Sequence, residues 1–250
     1  MKALILAAGL GTRLGSLTRN IPKPMLPVGG RPLLEHIVEL LRSHGITEIA
    51  LNLHYKPDAI LNHFGSGDAW GVRLRYSYEA ELLGSAGTAL RHLAWFYPDP
   101  FLVYYGDVYS DANLSDLMER HRFSGAAATV AVYQAPDPAR HGIVQFDTDG
   151  RVRSFVEKPP ADRVLSNWAN SGIYVLNPEV LHFVTGIPSD FEYDVFPRLL
   201  DAGQVIHAYP LTGTLIDIGT PENYQVVQKL FPAQTTSSQS ARLDITPAPA

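Results

Sequence analysis

The sequence predicts an α/β fold, a mostly parallel mixed sheet flanked by helices, on three observations. Short apolar runs alternate with amphipathic stretches through the first half of the chain, in the order β-α-β-α-β-α-β. The first of these runs, residues 3–7, is short, wholly apolar and bounded by glycine, as a buried parallel strand should be. From residue 126 onward strands predominate, so the sheet should become mixed. With 250 residues, 46% hydrophobic and 18% charged, the chain can bury one large core.

Residues 3–7 (ALILA) read as the first buried strand. Pro32 then opens a helix whose Leu33, Leu34, Ile37, Leu40 and Leu41 share one face, with Gly45 placed to stop it. Residues 48–53 read as a strand, 57–64 as a short helix, 72–78 as an alternating strand and 85–96 as a helix. A buried strand at 101–105 runs into Gly106-Asp107. Strands follow at 126–133, 142–146, 152–156 and 169–176, then a helix over 193–200. Strands near 205–209 and 214–218 and a helix over 221–230 complete the unit. No linker interrupts the chain and no repeat occurs, so residues 1–230 are expected to form one domain. The Ser-, Thr-, Pro- and Ala-rich stretch 231–250 is expected to be a poorly ordered tail.

Composition narrows the partners. A net charge of −5 argues against nucleic acid, which calls for a basic face. The absence of cysteine excludes disulfides and thiolate chemistry and fits a cytoplasmic setting. The N-terminus lacks a signal peptide's basic region and cleavage site. No apolar run approaches the roughly 18 residues of a membrane span, so no membrane association is expected. The nine histidines lack ligand spacing, and none is assigned to zinc. Trp70, Trp95 and Trp168 read as core residues.

The turn after the first strand, Ala7-Ala8-Gly9-Leu10-Gly11-Thr12-Arg13-Leu14-Gly15, can bring backbone amides to an anion. It is not a dinucleotide fingerprint, because Leu14 stands where the third glycine belongs. It is not a Walker loop either, since no Gly-Lys-Ser/Thr occurs. Arg13 closes the turn, and Lys23 follows between Pro22 and Pro24. Pro24 should push Lys23 toward extended backbone, fixing its reach toward a phosphate. On this segment alone a solvated lysine in a proline-rich loop stays open.

Residues 6–14 (LAAGLGTRL) with 22–27 (PKPMLP) resemble the signature of sugar-1-phosphate nucleotidyltransferases, and the resemblance continues to about residue 230. One departure is Gly15-Ser16-Leu17-Thr18, where many members carry a proline before Leu-Thr. The resemblance implies a Rossmann-like nucleotidyltransferase domain in which Arg13 and Lys23 are catalytic. It also implies that Leu6, Ala8, Gly9, Gly11 and Thr12 meet the nucleotide. Leu83-Gly-Ser-Ala-Gly-Thr-Ala89 resembles the family's loop lining the base pocket, with Gly87 approaching the base.

Asp107 and Asp217, far apart in sequence and each at a strand end, can serve Mg²⁺, which takes few carboxylates alongside phosphate oxygens. Either aspartate alone reads more often as a turn or cap residue; the pair resembles the family's metal ligands. Asp111 has the wrong spacing for a D-x-D motif and reads as a loop or capping residue. Phe155-Val-Glu-Lys-Pro159 resembles an E-K-P element, which implies that Glu157 accepts from sugar hydroxyls and Lys158 meets the sugar phosphate. Asn170-Ser-Gly172 resembles a sugar contact whose amide both donates and accepts. Gly142 resembles the glycine at which backbone closes on the sugar, with His141 in place of the common tyrosine.

The implied reaction joins a nucleoside triphosphate to a sugar 1-phosphate, releasing pyrophosphate by in-line attack on the α-phosphorus. Residues 84–87 and 192–197 look more like guanylyltransferases acting on mannose or heptose phosphates, which favours GTP with mannose 1-phosphate. Uridylyl- or thymidylyl transfer to glucose 1-phosphate or another hexose or heptose 1-phosphate, including an amino sugar, is the alternative. A catalytically silent regulatory paralogue is the rival of another class, and a nucleotide-dependent dehydrogenase is disfavoured by the missing third glycine. The resemblance makes a homodimer plausible.

Overall fold

The computed structural model describes residues 1–160, 162 and 164–231. The expected tail therefore lies outside the described residues, except for Phe231.

β1 (Lys2–Leu6) leads through the glycine turn and two 3₁₀ segments, Thr12–Thr18 and Lys23–Met25, into a short hairpin of β2 (Pro27–Val28) and β3 (Arg31–Pro32). α1 (Leu33–Ser43), β4 (Glu48–Leu53), α2 (Pro57–Phe64) and β5 (Arg73–Tyr78) follow. Next come α3 (Ser85–Arg91), α4 (Leu93–Phe96), β6 (Phe101–Tyr105), β7 (Val108–Ser110) and α5 (Leu114–Ser124). The second half holds β8 (Ala128–Gln134), β9 (Gly142–Phe146), β10 (Val152–Glu157), β11 (Trp168–Leu176), α6 (Phe196–Asp201), β12 (Ile206–Pro210), β13 (Leu215–Asp217) and α7 (Pro221–Lys229).

The main sheet runs β10-β9-β11-β6-β1-β4-β5, with β8 also beside β11 and β12 beside β8. β1 pairs in parallel with β4 and β6, and β4 with β5. β11 is antiparallel to β6, which makes the sheet mixed where the sequence changes character. In this register Leu6 lies between Asn52 and Tyr105, so β1, β4, β5 and β6 share one carboxyl-end edge. Ligands of such sheets bind beyond that edge.

The sheet's pleat divides the core into two layers. Ala3 and Ile5, Leu102 and Tyr104, and Ile173 and Val175 face one apolar cluster. Leu4, Phe101, Val103, Tyr174 and Leu176 face the other. This two-residue alternation lets a wholly apolar strand such as β6 serve both faces.

Four local outcomes differ from the sequence reading. The helix expected over 85–96 breaks at His92, whose backbone (φ −101, ψ 5) leaves helical geometry while its buried ring bonds Ser77. The helix expected over 193–200 begins earlier, as a wide π turn at Phe191–Val195 that tightens into α6. Pro197 lacks the amide that would continue a regular ladder there. α5 and the β2–β3 hairpin were not expected. α5 carries a weak apolar stripe and is defined by its ends, with Asn113 capping the amides of Ser115 and Asp116 and Gly125 left-handed after it. The hairpin turns on Gly29 and Gly30, both at positive φ.

Candidate active site

The glycine turn leaves β1 at the carboxyl edge. Gly11 needs its left-handed backbone (φ +65), and a Cβ there would crowd Thr18 Cγ2 at 3.0 Å. The Thr18 hydroxyl closes the loop by donating to the Gly11 carbonyl at 2.9 Å. Gly9 faces open space, as a position approached by a ligand would.

Two adjoining cavities lie above this turn. The first, about 230 Å³, is lined by Leu6, Ala8, Gly9, Lys23, Asn52, Leu82, Gly84, Thr88, Tyr105, Asp107 and Asp190 among others. The second, about 270 Å³, is lined by Gly9, Gly11, Thr12, Arg13, Lys23, Leu82 and Gly219 among others. Lys23 borders both. Of the expected nucleotide contacts, Leu6, Ala8, Gly9, Gly11 and Thr12 therefore line this space.

Gly87 does not line it. Gly87 sits inside α3, donates its amide to the Ser189 carbonyl at 3.0 Å, and leaves room for Ile187, whose Cδ1 a Cβ would meet at 2.8 Å. Gly84 lines the cavity instead, at φ +76 and against the Ser189 backbone. Asp190 fastens this loop by accepting from the Ser85 amide at 2.8 Å.

Lys23 is 8% exposed and does not take the extended conformation expected before Pro24. It opens a tight turn closed by the Met25 amide on the Pro22 carbonyl at 2.9 Å, which buries Pro24 and brings the lysine inward. Its Nζ donates to Asp107 Oδ2 at 2.5 Å. β13 pairs with β7 so that Asp217 faces Val108, and the Ile218 amide donates to the Asp107 carbonyl at 2.9 Å. Two elements remote in sequence thus bring both aspartates together. Burial and the neighbouring Asp107 push the Asp217 carboxyl up to about 6, against Lys23, the Gly219 amide and Arg13. Arg13 is exposed and lies over Gly219, with its Nη2 3.0 Å from where a Cβ would stand.

This donor set fits a hard divalent cation. Asp107, at the cavity wall, and its buried neighbour Asp217 repel each other, and a cation between them and a ligand's phosphates would relieve that repulsion. Among the described residues no cluster of three or more His, Cys, Asp or Glu occurs.

The expected sugar-phosphate residues form a second group. β9 and β10 pair Gly142 with Glu157, and a Cβ at Gly142 would stand 2.4 Å from Glu157 Oε2 and 3.6 Å from Asn170 Cβ. A side chain at Gly142 would have to displace that carboxylate. Lys158 has positive φ (+46), which costs a non-glycine residue about 1–2 kcal/mol. Its amide donates to the His141 carbonyl and its Nζ to Glu157 at 2.9 Å, and this contact raises the lysine above its ordinary range. His141 holds Tyr133 through Nδ1 at 3.2 Å, and burial lowers its affinity for a proton.

Asn170 differs from expectation in one respect. Its Nδ2 donates to Tyr174 at 2.6 Å and Glu192 at 3.3 Å, while its Oδ1 accepts from the Gly172 amide at 3.1 Å. The amide has no donor left, so it can only accept.

Sequence reasoning missed Asn52, Glu79, Tyr105 and Asp190. Glu79 is 2% exposed, and its Oε1 accepts from Asn52 at 3.0 Å and Thr88 at 2.6 Å, both cavity-lining residues. Asn52 also accepts from the Ala7 amide at 2.7 Å, tying this wall to the glycine turn. A polar residue inside an otherwise apolar strand, as Asn52 is in β4, was the available signal. Asp111 is a capping residue, its Oδ1 accepting from the Thr214 amide at 2.6 Å.

The family described as Nucleotidyl transferase matches residues 2–233. A UTP–glucose-1-phosphate uridylyltransferase of Synechocystis is 35% identical over 265 residues, covering 99% of this chain and 68% of its own length. A mannose-1-phosphate guanylyltransferase catalytic subunit beta of Drosophila pseudoobscura is 34% identical, covering 97% of this chain and 65% of its own length. The chain thus spans about two thirds of these relatives. HddC from Yersinia pseudotuberculosis, solved in complex with GMP-PN, superimposes with a TM-score of 0.78 at 30% identity, covering 92% of this chain and 99% of that one. No helix among the described residues is long and apolar enough to cross a membrane.

Proposed function

The chain belongs to the nucleotidyl transferase family, and on that footing we propose that it couples a nucleoside triphosphate to a sugar 1-phosphate, releasing pyrophosphate. The observation that carries this reading is the adjacency of Lys23, Asp107 and Asp217 to a glycine-walled cavity, with a separate Gly142–Glu157–Asn170 group alongside.

Arg13 lies over the second cavity and would hold the departing phosphates. Lys23, held in a rigid turn, would neutralise the α-phosphate as the sugar's phosphate oxygen attacks. Lys158 would hold that sugar phosphate, and Glu157 would orient the ring. A divalent cation, taken here as Mg²⁺, would be held by Asp107 and Asp217 and would supply charge neutralisation to the phosphate oxygens. Such catalysis is alignment and electrostatics.

GTP and mannose 1-phosphate are the favoured pair. The Glu79 carboxylate behind the Asn52–Thr88 wall makes that wall electronegative, which suits the N1–H and N2–H₂ donors of guanine. The fly guanylyltransferase and the GMP-PN complex of HddC support the same choice. The Synechocystis relative favours UTP with glucose 1-phosphate as the second reading. We assign the protein to the cytoplasm, where both substrates are supplied.

The test is Mg²⁺-dependent pyrophosphate release with GTP, UTP, dTTP, ATP and CTP against mannose, glucose and heptose 1-phosphates. The expected result is strongest release with GTP and mannose 1-phosphate. Silence in every combination would overturn the reading in favour of a non-catalytic paralogue.

A further inference from the structure

Glu192 has a carboxyl that burial drives upward in pKa, yet it faces no cation among the described residues. Its Oε1 instead gathers three donors: Tyr105 at 2.5 Å, Tyr174 at 2.9 Å and Asn170 Nδ2 at 3.3 Å. Such a group is costly to keep unless its contacts serve something. Tyr105 lines the first cavity, and Asn170 stands beside Gly142 and Glu157. Glu192 therefore joins the nucleotide wall to the sugar wall.

The join also decides how Asn170 is presented. A carboxylate oxygen draws the amide nitrogen to itself, and the Gly172 amide draws the amide oxygen the other way. Gly172 can do this because β11 carries a bulge between Asn170 and Tyr174, where Gly172 has φ +76 and packs on the Tyr105 ring. Both amide protons are spent on Tyr174 and Glu192, so only the carbonyl oxygen of Asn170 remains for a ligand.

We propose that Glu192 is a positioning residue of the sugar subsite: by fixing the Asn170 amide it turns the Asn170 carbonyl, together with the Glu157 carboxylate, toward the sugar as acceptors beside Lys158. The sugar is then taken through its hydroxyl donors, and a uronic acid 1-phosphate, whose carboxylate would face Glu157 and the Asn170 carbonyl, is refused. This rests on the sugar-phosphate reading of the subsite.

The pairing can be reversed. In Glu192→Gln the new amide competes to donate, and in Asn170→Asp two carboxylates face each other. When both substitutions are combined, the introduced glutamine amide can donate to the introduced aspartate carboxylate. That carboxylate still accepts from the Gly172 amide and still offers an acceptor to the sugar. The 250-residue chain and these three variants would be titrated calorimetrically with mannose, glucose and glucuronic acid 1-phosphates, alongside steady-state KM values for sugar and triphosphate. Each single substitution should weaken neutral sugar phosphates by about tenfold, and Asn170→Asp, which leaves Tyr105 its Glu192 partner, should keep the triphosphate KM within about twofold. The double variant should recover to within about threefold of the original chain, since coupled neighbours are non-additive. Glucuronic acid 1-phosphate should fail to saturate the original chain.

Absence of rescue, a matching rise in triphosphate KM for Asn170→Asp, or saturation by the uronate would each overturn the proposal. Turnover by the original chain with none of this pattern would sink the proposal and leave the reaction standing. The full binding pattern without pyrophosphate release would do the opposite. Neither binding nor release would overturn both.

Discussion

Asp107 and Asp217 look interchangeable in the sequence, yet they sit in different physical situations. Asp107 neutralises Lys23, whereas Asp217 is buried beside another carboxylate. Asp107→Ala should therefore abolish turnover and also cost about 1–3 kcal/mol of stability, because a nearly buried ammonium loses its partner. Asp217→Asn should abolish turnover while keeping or raising the metal-free melting temperature. Turnover together with thermal melts checks both, and near-normal turnover in either variant would remove that aspartate from the site. Glu192 gives a pH prediction of definite sign. Its native pKa lies above its unfolded value, so its favourable contribution is complete below the unfolded pKa and is lost as pH rises through the native one. Glu192→Gln should gain stability relative to the original chain at pH 8, and the gain should fade toward pH 4. A gain that grows on acidification would contradict this. At this scale the sequence revealed the residues that bring charge to the site, such as Arg13, Lys23 and both aspartates. It did not reveal the restraint on Asn170, because hydrogen-bond direction depends on neighbours 22 residues away.

Elements are where backbone geometry becomes function. Gly84 begins α3 at φ +76 with the Ser189 carbonyl 2.3 Å from any Cβ, so Gly84→Ala should destabilise by roughly 2 kcal/mol or more and raise the triphosphate KM. Asn113→Ala, which removes the cap of α5 far from either subsite, should cost about 1 kcal/mol and leave both KM values unchanged. Melting curves with initial rates separate the two cases, and a KM change at Asn113 would refute the assignment of α5 as scaffold. β4, α2, β6 and β9 were legible at their observed ends because their apolar runs have proline, glycine or charged boundaries. α5 was not, since its stability lies in its caps and a weak stripe. The break at His92 was hidden for another reason: it depends on a contact with Ser77 in a neighbouring strand.

At the scale of the whole molecule, a parallel half supplies the cavity proposed for the triphosphate and an antiparallel half supplies the Gly142–Glu157–Asn170 group proposed for the sugar, with β11 against β6 as the seam. The order of apolar runs foretold that division; the pairing of β13 with β7, which unites the aspartates, is long-range and left no local trace. Ligand linkage should report the shared site. Triphosphate with Mg²⁺ at about 100 times its Kd should add about 2.7 kcal/mol, a shift of several degrees in melting temperature. Chelation should remove most of that shift, and an equal shift without metal would contradict a cation held by the aspartate pair. The most direct test of the central claim is to follow GTP labelled at the α-phosphate through a single turnover with mannose 1-phosphate. The account predicts that the label passes into a nucleotide sugar with one equivalent of pyrophosphate. Label that stays in GTP, or emerges as free GMP, would contradict it.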